Sequence, residues 1–353
     1  MHWSRPKPLA TILLCASAVL AFGQPSASPA PFVHKKKFIM GTVFEIVAYG
    51  DSPEQASKAI DQAFVEIVRL DQVMSDYKPD SVLSHLNHSS HVGPQSVPPD
   101  LYRVIGEALK YSRISSGKFD VTVGPLVNLW KAAIRGGPTP TSEEEEKVRA
   151  CVGYQKVELI SPDKIQFLSS CVQIDLGSIG KGYALDRAAD VLRLHGVTRA
   201  FLDSGGSSIV AMGAPPGQTG WLVHLRDPSN KMDPQIVLSD GSVSTSEQTP
   251  VSLLSRESAG HIIDPDKGVP LNTPFAVSVV AKTGTASDAL STTLLLVGPE
   301  EGKLLVEHAG DVAAIWVSAD GRAFQASSGP KILVGGEAQG IAATVHTNSG
   351  SLR

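Results

Sequence analysis

The sequence predicts an α+β fold built on a largely antiparallel sheet, and three observations carry that expectation. Strand-like runs crowd together after residue 153 and do not alternate regularly with helices, as they would in a doubly wound fold. Asp320-Gly321 stands between two such runs, a residue pair suited to a tight hairpin. The helical stretches each carry a single apolar stripe, so each covers a core with one face.

The elements follow in chain order. In residues 1–23, Arg5 and Lys7 precede the apolar run LATILLCASAVLAFG, and Ala21-Phe22-Gly23 has the small-x-small form of a cleavage site. This is the pattern of a secretory signal peptide; a retained N-terminal anchor is the alternative. Leu14, before Cys15, is too bulky for a lipoprotein signal. Residues 24–35, QPSASPAPFVHK, have the Pro, Ser and Ala content of a disordered tether, which places the start of the folded body at residue 36. KFIMGTVFEIVAYG then reads as a strand pair or one long strand. Ser52-Pro53-Glu54-Gln55 supplies a capping box with proline at the first helical position. The helix behind it buries Ala56, Ile60, Ala63, Phe64, Ile67 and Val68.

A second helix follows Pro98-Pro99-Asp100, buries Leu101, Val104, Ile105 and Ala108, and stops at Gly117. The acidic run Glu143–Glu146 opens a short exposed helix capped by Ser142, where carboxylates suit the dipole. The strands are YQKVELI, KIQFLS, VQIDLG, AFLDSGGSSIVAMG, GWLVHLRDP, FAVSVVAK and VAAIWVSADGRAFQAS. Among them lie helices from Tyr183 to about His195 and from Ala286 to Leu296. The body ends near residue 330, and residues 331–353 form a C-terminal tail.

Composition narrows the function. With 42% hydrophobic and 19% charged residues, the 353-residue chain can bury a substantial core. The formal charge of −4 becomes −6 once Arg5 and Lys7 leave with residues 1–23, which argues against a nucleic-acid partner. Cys151 and Cys171 remain, either as a disulfide in an exported protein or as two buried thiols. No G-x-S-x-G, H-E-x-x-H, C-x-x-C or G-x-G-x-x-G motif occurs. His85, His88 and His91 fall in a polar stretch that reads as a loop of solvated imidazoles. IDLGSIGKGYALD, residues 174–186, looks like a phosphate loop but fails as a Walker motif: Asp175 stands where the first glycine belongs, and Gly182 follows Lys181 where a hydroxyl is needed.

What stands out is a series of polar, glycine-rich islands: MGTVFE, MSDYKPDSVLSHLN, GKFDVTVGPLVNLW, IDLGSIGKGYALD, LDSGGS, SVSTSE, HIIDPDKG and SDALSTTLLLVG. Their order and wording, from Met40 to Ser328, resemble the ApbE family, the FAD:protein FMN transferases of bacteria. The resemblance implies a T-fold-like α+β architecture with FAD as substrate and Mg²⁺ at its pyrophosphate. It further implies that Met40, Tyr77, Lys118, Phe119, Asp120, Asp175, Lys181 and Ile263 contact FAD, and that Ser178, through its carbonyl, joins Asp288 and Thr292 as metal ligands.

The residues themselves are compatible. Asp288 and Thr292 share one face of a helix and offer hard oxygens, although an Asp-x-x-x-Thr pair alone also fits a cap or an exposed pair. Tyr77 and Phe119 also fit as core aromatics. His261 lies beside Ile263, and its imidazole has the pKa of a general base. The expected reaction moves FMN to a Thr or Ser hydroxyl of an acceptor flavoprotein in a membrane-associated redox complex, releasing AMP, in the periplasm, either free or attached to the inner membrane. The same residues also fit an FAD pyrophosphatase or a non-catalytic FAD store. The chain departs from the family's usual wording at Glu247-Gln248-Thr249, at DPDKG, and at Ser291, where some members carry a second carboxylate.

Overall fold

The computed structural model describes residues 32–134, 137–248 and 261–334. In chain order the elements are β1 (Phe32–Ile39), β2 (Thr42–Tyr49), α1 (Pro53–Met74), α2 (Val82–Ser89), β3 (Gln95–Ser96), α3 (Pro99–Ile114), α4 (Gly124–Ile134), α5 (Ser142–Arg149), β4 (Val157–Ile160), β5 (Lys164–Phe167) and α6 (Gly180–Leu194). The second half adds β6 (Arg199–Ser204), β7 (Ser208–Met212), β8 (Trp221–His224), β9 (Pro234–Leu238), β10 (Gly241–Glu247), β11 (Ile263–Asp264), β12 (Val269–Pro270), β13 (Phe275–Ala281), α7 (Gly284–Ala309), β14 (Ala313–Ser318), β15 (Ala323–Ser327) and β16 (Leu333–Val334).

The frame is an eight-stranded sheet in the order β1-β2-β6-β7-β10-β13-β14-β15, antiparallel at every pairing. Its side chains alternate between two cores, as the two-residue period of a strand requires. Phe44, Ile46, Leu202, Val210, Val277, Val279 and Trp316 face α1, α6 and α7. Val47, Phe201, Ile209, Val280, Ile315 and Val317 face the opposite way, toward Trp221, Ile236 and Leu238 of the small β8-β9-β16 sheet. The expected α+β, mainly antiparallel class is therefore the observed one.

KFIMGTVFEIVAYG is a strand pair. Met40 and Gly41 form its two-residue turn, with φ of 51° and 73°, the conformation whose twist matches the flanking strands. Methionine is strained there, and such strain gathers at functional positions. Ser52 caps α1 by accepting from Gln55 N, but Gln55 Oε1 accepts from Asp51 N, so the capping box is shifted by one residue.

Several boundaries differ from expectation. β1 begins at Phe32, so residues 32–35 are strand, ordered by pairing with β2, and only residues 24–31 of the expected tether lie outside the described residues. β16 extends the body to Val334, and the rest of the expected tail lies outside the described residues. The signal-peptide segment also lies outside them. Among the described residues no helix is long and apolar enough to cross a membrane. α5 is capped by Thr141, whose reciprocal bonds with Glu144 complete a capping box one residue before Ser142. α6 starts at Gly180, and α7 continues to Ala309 across a break at Gly298, where φ is 77°. His85 and His88 sit on α2 and not in a loop. Cys151 and Cys171 form a disulfide.

Candidate active site

α6 and α7 cross at two glycines. A Cβ on Gly182 would lie 2.0 Å from the carbonyl oxygen of Gly284, and one on Gly284 would lie 2.5 Å from that of Gly182. Only residues without side chains allow this approach. Because the helices touch, Gly182 N–H donates to Asp288 Oδ2 at 2.9 Å. Asp186, one turn further along α6, accepts from Gly284 N at 2.6 Å and Thr285 N at 2.8 Å, and so caps α7 from its neighbour. Burial raises the Asp186 pKa, opposed by those hydrogen bonds.

The crossing flanks a cleft of about 1640 Å³. Drug-sized ligands occupy about 300–1,000 Å³, so this cleft suits a larger one. Every site residue expected from the sequence lines it except Lys118. Gly180 and Lys181 bring the N-terminus of α6 and an ammonium group to the wall, a combination that favours an anion. Within the loop, Asp175 Oδ1 accepts from Gly177 N at 2.7 Å, and Lys181 Nζ donates to Gly177 O at 3.1 Å. The stretch that fails as a Walker motif is thus a self-bonded loop that leads into a helix aimed at the cleft, with Ser178 on its rim.

Asp288 is 5% exposed, and its other oxygen accepts from Ser208 Oγ at 3.1 Å. Among the described residues no cation pairs with it. A buried carboxylate that faces a cleft and has no cation partner among the described residues suits a metal ion. Thr292, one turn along α7, faces the same cleft, its hydroxyl 3.1 Å from Ser246 Oγ. No three His, Cys, Asp or Glu side chains among the described residues gather as a metal cage. Mg²⁺ does not need one, because it takes few protein ligands and completes its shell with water and phosphate oxygens. The donors present fit such an ion. Ser291 turns away from the cleft: it is fully buried, donates to Asp288 O at 2.9 Å and meets Ser246 Oγ at 2.8 Å.

Met40 and Tyr77 stand at the margin, Tyr77 with Lys131 Nζ 4.5 Å from its ring centroid, so Tyr77 is not a core aromatic. Phe119 is both core and cleft wall, 1% exposed with its edge against Tyr111. Asp120 is buried and accepts from Thr122 N, Thr122 Oγ1 and Tyr154 N, which makes it the tie of its own loop. Burial raises its pKa against those bonds. Lys118 lies off the cleft because its ammonium pairs with Asp266, at the tip of the β11-β12 hairpin. That hairpin places Ile263 on the wall and His261 just before it. The imidazole keeps an exposed edge, yet the protein atoms around it and then the charge of Lys181 lower its pKa below the ordinary histidine value, with Asp175 opposing.

Several lining or supporting residues escaped the sequence reading. Asp76 faces the cleft with its pKa raised to about 6, first by burial and then by the charge of Asp175. It belongs to MSDYKPDS, which attracted attention only for Tyr77. Ser246, Ser208 and Asp186 act through partners far away in sequence. Gly205 and Gly206 did not escape that reading: the LDSGGS island reads as glycines that let a strand turn or approach closely, and with φ of 64° and 72° they turn β6 into β7, where a Cβ on Gly205 would lie 2.1 Å from Thr42 Oγ1.

A helix N-terminus, a lysine and a buried carboxylate with no cation partner among the described residues line one large cleft of an α+β protein, an arrangement suited to an extended ligand with an anionic centre. The profile of the ApbE family matches residues 40–316, and the chain belongs to the ApbE family. Among its relatives, the FAD:protein FMN transferase of Vibrio cholerae is 30% identical over 314 residues, covering 85% of this chain and 89% of that protein. The FAD:protein FMN transferase of Escherichia coli is 28% identical over 302 residues, covering 83% and 86%. The solved structure of the ApbE protein from Thermotoga maritima superposes with a TM-score of 0.74 at 25% identity, covering 84% of this chain and 97% of that one.

Proposed function

We propose that this protein is an FAD:protein FMN transferase that uses Mg²⁺ and moves FMN from FAD to a Thr or Ser hydroxyl of an acceptor protein, releasing AMP. The observation that carries the reading is the convergence of Asp288, Thr292, the α6 N-terminus, Lys181 and His261 on one dinucleotide-sized cleft in an ApbE chain.

The residues divide the work. The α6 N-terminus and Lys181 attract the pyrophosphate of FAD, and the apolar wall of Phe119, Val123, Val127 and Ile263 suits its planar rings. Asp288, Thr292 and the Ser178 carbonyl are the groups that would hold Mg²⁺, which when bound neutralises the pyrophosphate charge. The acceptor hydroxyl oxygen forms a bond to the phosphorus of the FMN half, and the bond from that phosphorus to the bridging oxygen breaks. AMP leaves with the bridging oxygen and its electron pair. The hydroxyl proton passes to His261, which its lowered pKa keeps neutral and receptive near pH 7.

The acceptor belongs to a membrane-associated redox complex, and the enzyme is exported to the periplasm. The Cys151–Cys171 disulfide supports export, since such bonds persist in oxidising compartments. The test is incubation of the mature protein with FAD, Mg²⁺ and a flavoprotein domain carrying an acceptor threonine, following AMP, free FMN and acceptor mass. Acceptor labelling with stoichiometric AMP is expected; AMP with free FMN and an unlabelled acceptor would overturn transfer in favour of hydrolysis.

A further inference from the structure

We infer that Gln248 is a positioning residue for His261, an inference that rests on the transferase reading above. Gln248 follows the last residue of β10 and is 3% exposed. Its amide nitrogen donates to Ile262 O at 2.9 Å and to Leu271 O at 2.6 Å, and its oxygen accepts from Ile262 N at 2.7 Å. One side chain therefore holds both backbone groups of the residue that follows His261.

The clamp sits at a mechanically meaningful place. Leu271 N also donates to Ile262 O at 2.8 Å, so Gln248 closes the base of the β11-β12 hairpin, where its two arms meet. The opposite end is held from elsewhere, by Trp130 Nε1 donating to Gly268 O at 2.8 Å and Arg149 Nη1 donating to Asp266 O at 2.8 Å. With the tip pinned by α4 through Trp130 and by α5 through Arg149, the direction in which the imidazole leaves the backbone is set at the base. β10 also carries Ser246, whose hydroxyl meets that of Thr292. The end of one strand thus ties the proposed base to the proposed metal-binding helix. A residue that only filled space would do so equally well as methionine, which has nearly the same length and volume but cannot make these bonds.

The test is a double-mutant cycle in the full mature chain with Gln248→Met and His261→Ala, assayed with FAD, Mg²⁺ and the acceptor domain, together with amide hydrogen exchange over residues 261–271. Gln248→Met is expected to lower kcat about 10- to 100-fold, since small misplacements of a reacting group carry losses of that size. The KM for FAD stays within about 2-fold, because Gln248 does not line the cleft. Exchange at Ile262 accelerates, and in the His261→Ala background Gln248→Met causes no further loss, because residues acting through one another are not additive.

Wild-type kcat in Gln248→Met, or additive losses while His261→Ala is impaired, would overturn the positioning role and leave the transferase reading intact. Full activity of His261→Ala would remove the base assignment, and the positioning role with it. Gln248→Glu keeps the shape and the accepting oxygen but presents a second oxygen to two carbonyls; it is expected to match Gln248→Met, and it decides the question should that variant not fold.

Discussion

Replacing Gly182 with alanine tests whether the contact between α6 and α7 builds the site. The added Cβ would stand 2.0 Å from Gly284 O, 2.5 Å from Gly284 C and 2.7 Å from Asp288 Cβ, whereas ordinary contact begins at 3.4 Å. Two of the three opposing atoms are backbone, so no rotamer relieves the clash. The helices must part by about 1.4 Å, the difference between those contact distances. Overpacking of this kind costs about 1–3 kcal/mol, and the rigid opposing surface places this site near the upper end, a fall in Tm of about 5–10 °C. The same separation stretches the 2.9 Å bond from Gly182 N to Asp288 and moves Asp288 away from Ser178 and Lys181. A displacement near 1 Å lowers catalysis about 100-fold. The assays are thermal unfolding and Mg²⁺-dependent AMP release from FAD with acceptor. Gly106→Ala on α3, where a Cβ meets only Leu159 Cδ1 at 3.4 Å, is the control: it should leave activity unchanged and hold or slightly raise Tm, since alanine favours a helix interior over glycine. Wild-type Tm and activity in Gly182→Ala would refute the reasoning.

Other outcomes follow from the same structure. Asp288→Ala should lower kcat about 100-fold or more, since several kcal/mol of charge stabilisation go with the metal site, and EDTA should mimic it reversibly in the wild type. The pH profile of kcat/KM, which reports the free enzyme, should lose activity on its acid side with a midpoint below the ordinary histidine value, because His261 accepts a proton only while neutral; a midpoint above that value would contradict its surroundings. Asp203, whose pKa burial raises to about 6, is ionised at a cost in the fold above that pH. Asp203→Asn keeps an oxygen for Gly206 N and should stabilise the protein by roughly 1–3 kcal/mol at pH 8, an advantage that shrinks as pH falls through about 6 and is gone near 3.8, as chemical denaturation would show. Reducing the Cys151–Cys171 bond, which spans 20 residues, should lower stability by about 3 kcal/mol on the loop-entropy account.

Local patterns were readable where local physics decides the outcome. The apolar stripe of α1, the proline start of α3 and most of the clustered strands follow from periodicity and backbone restriction and appear in the structure, but Val68, expected in the stripe, is 40% exposed, and VQIDLG forms only an isolated bridge between Gln173 and Val123 and no strand. Boundaries failed where tertiary pairing overrides composition: residues 32–35 look like part of a flexible Pro-Ser-Ala stretch but pair with β2. The helix expected to end at Leu296 resumes beyond Gly298-Pro299 and runs to Ala309. The cleft was legible because its islands are chemically distinctive. The supports were not, because Gln248, Ser246 and Asp186 act on partners 14 to 99 residues away, and no spacing rule announces such a bond. Lys118 shows the converse, a residue in a telling motif whose charge pairs with Asp266, 148 positions later.

The most direct measurement is the intact mass of the acceptor domain after incubation with the enzyme, FAD and Mg²⁺, with AMP quantified in the same sample. The account predicts a gain equal to FMN less water on a Thr or Ser, one AMP per labelled acceptor, and loss of both with Asp288→Ala. An acceptor left unlabelled while FAD is converted to AMP and free FMN would contradict it.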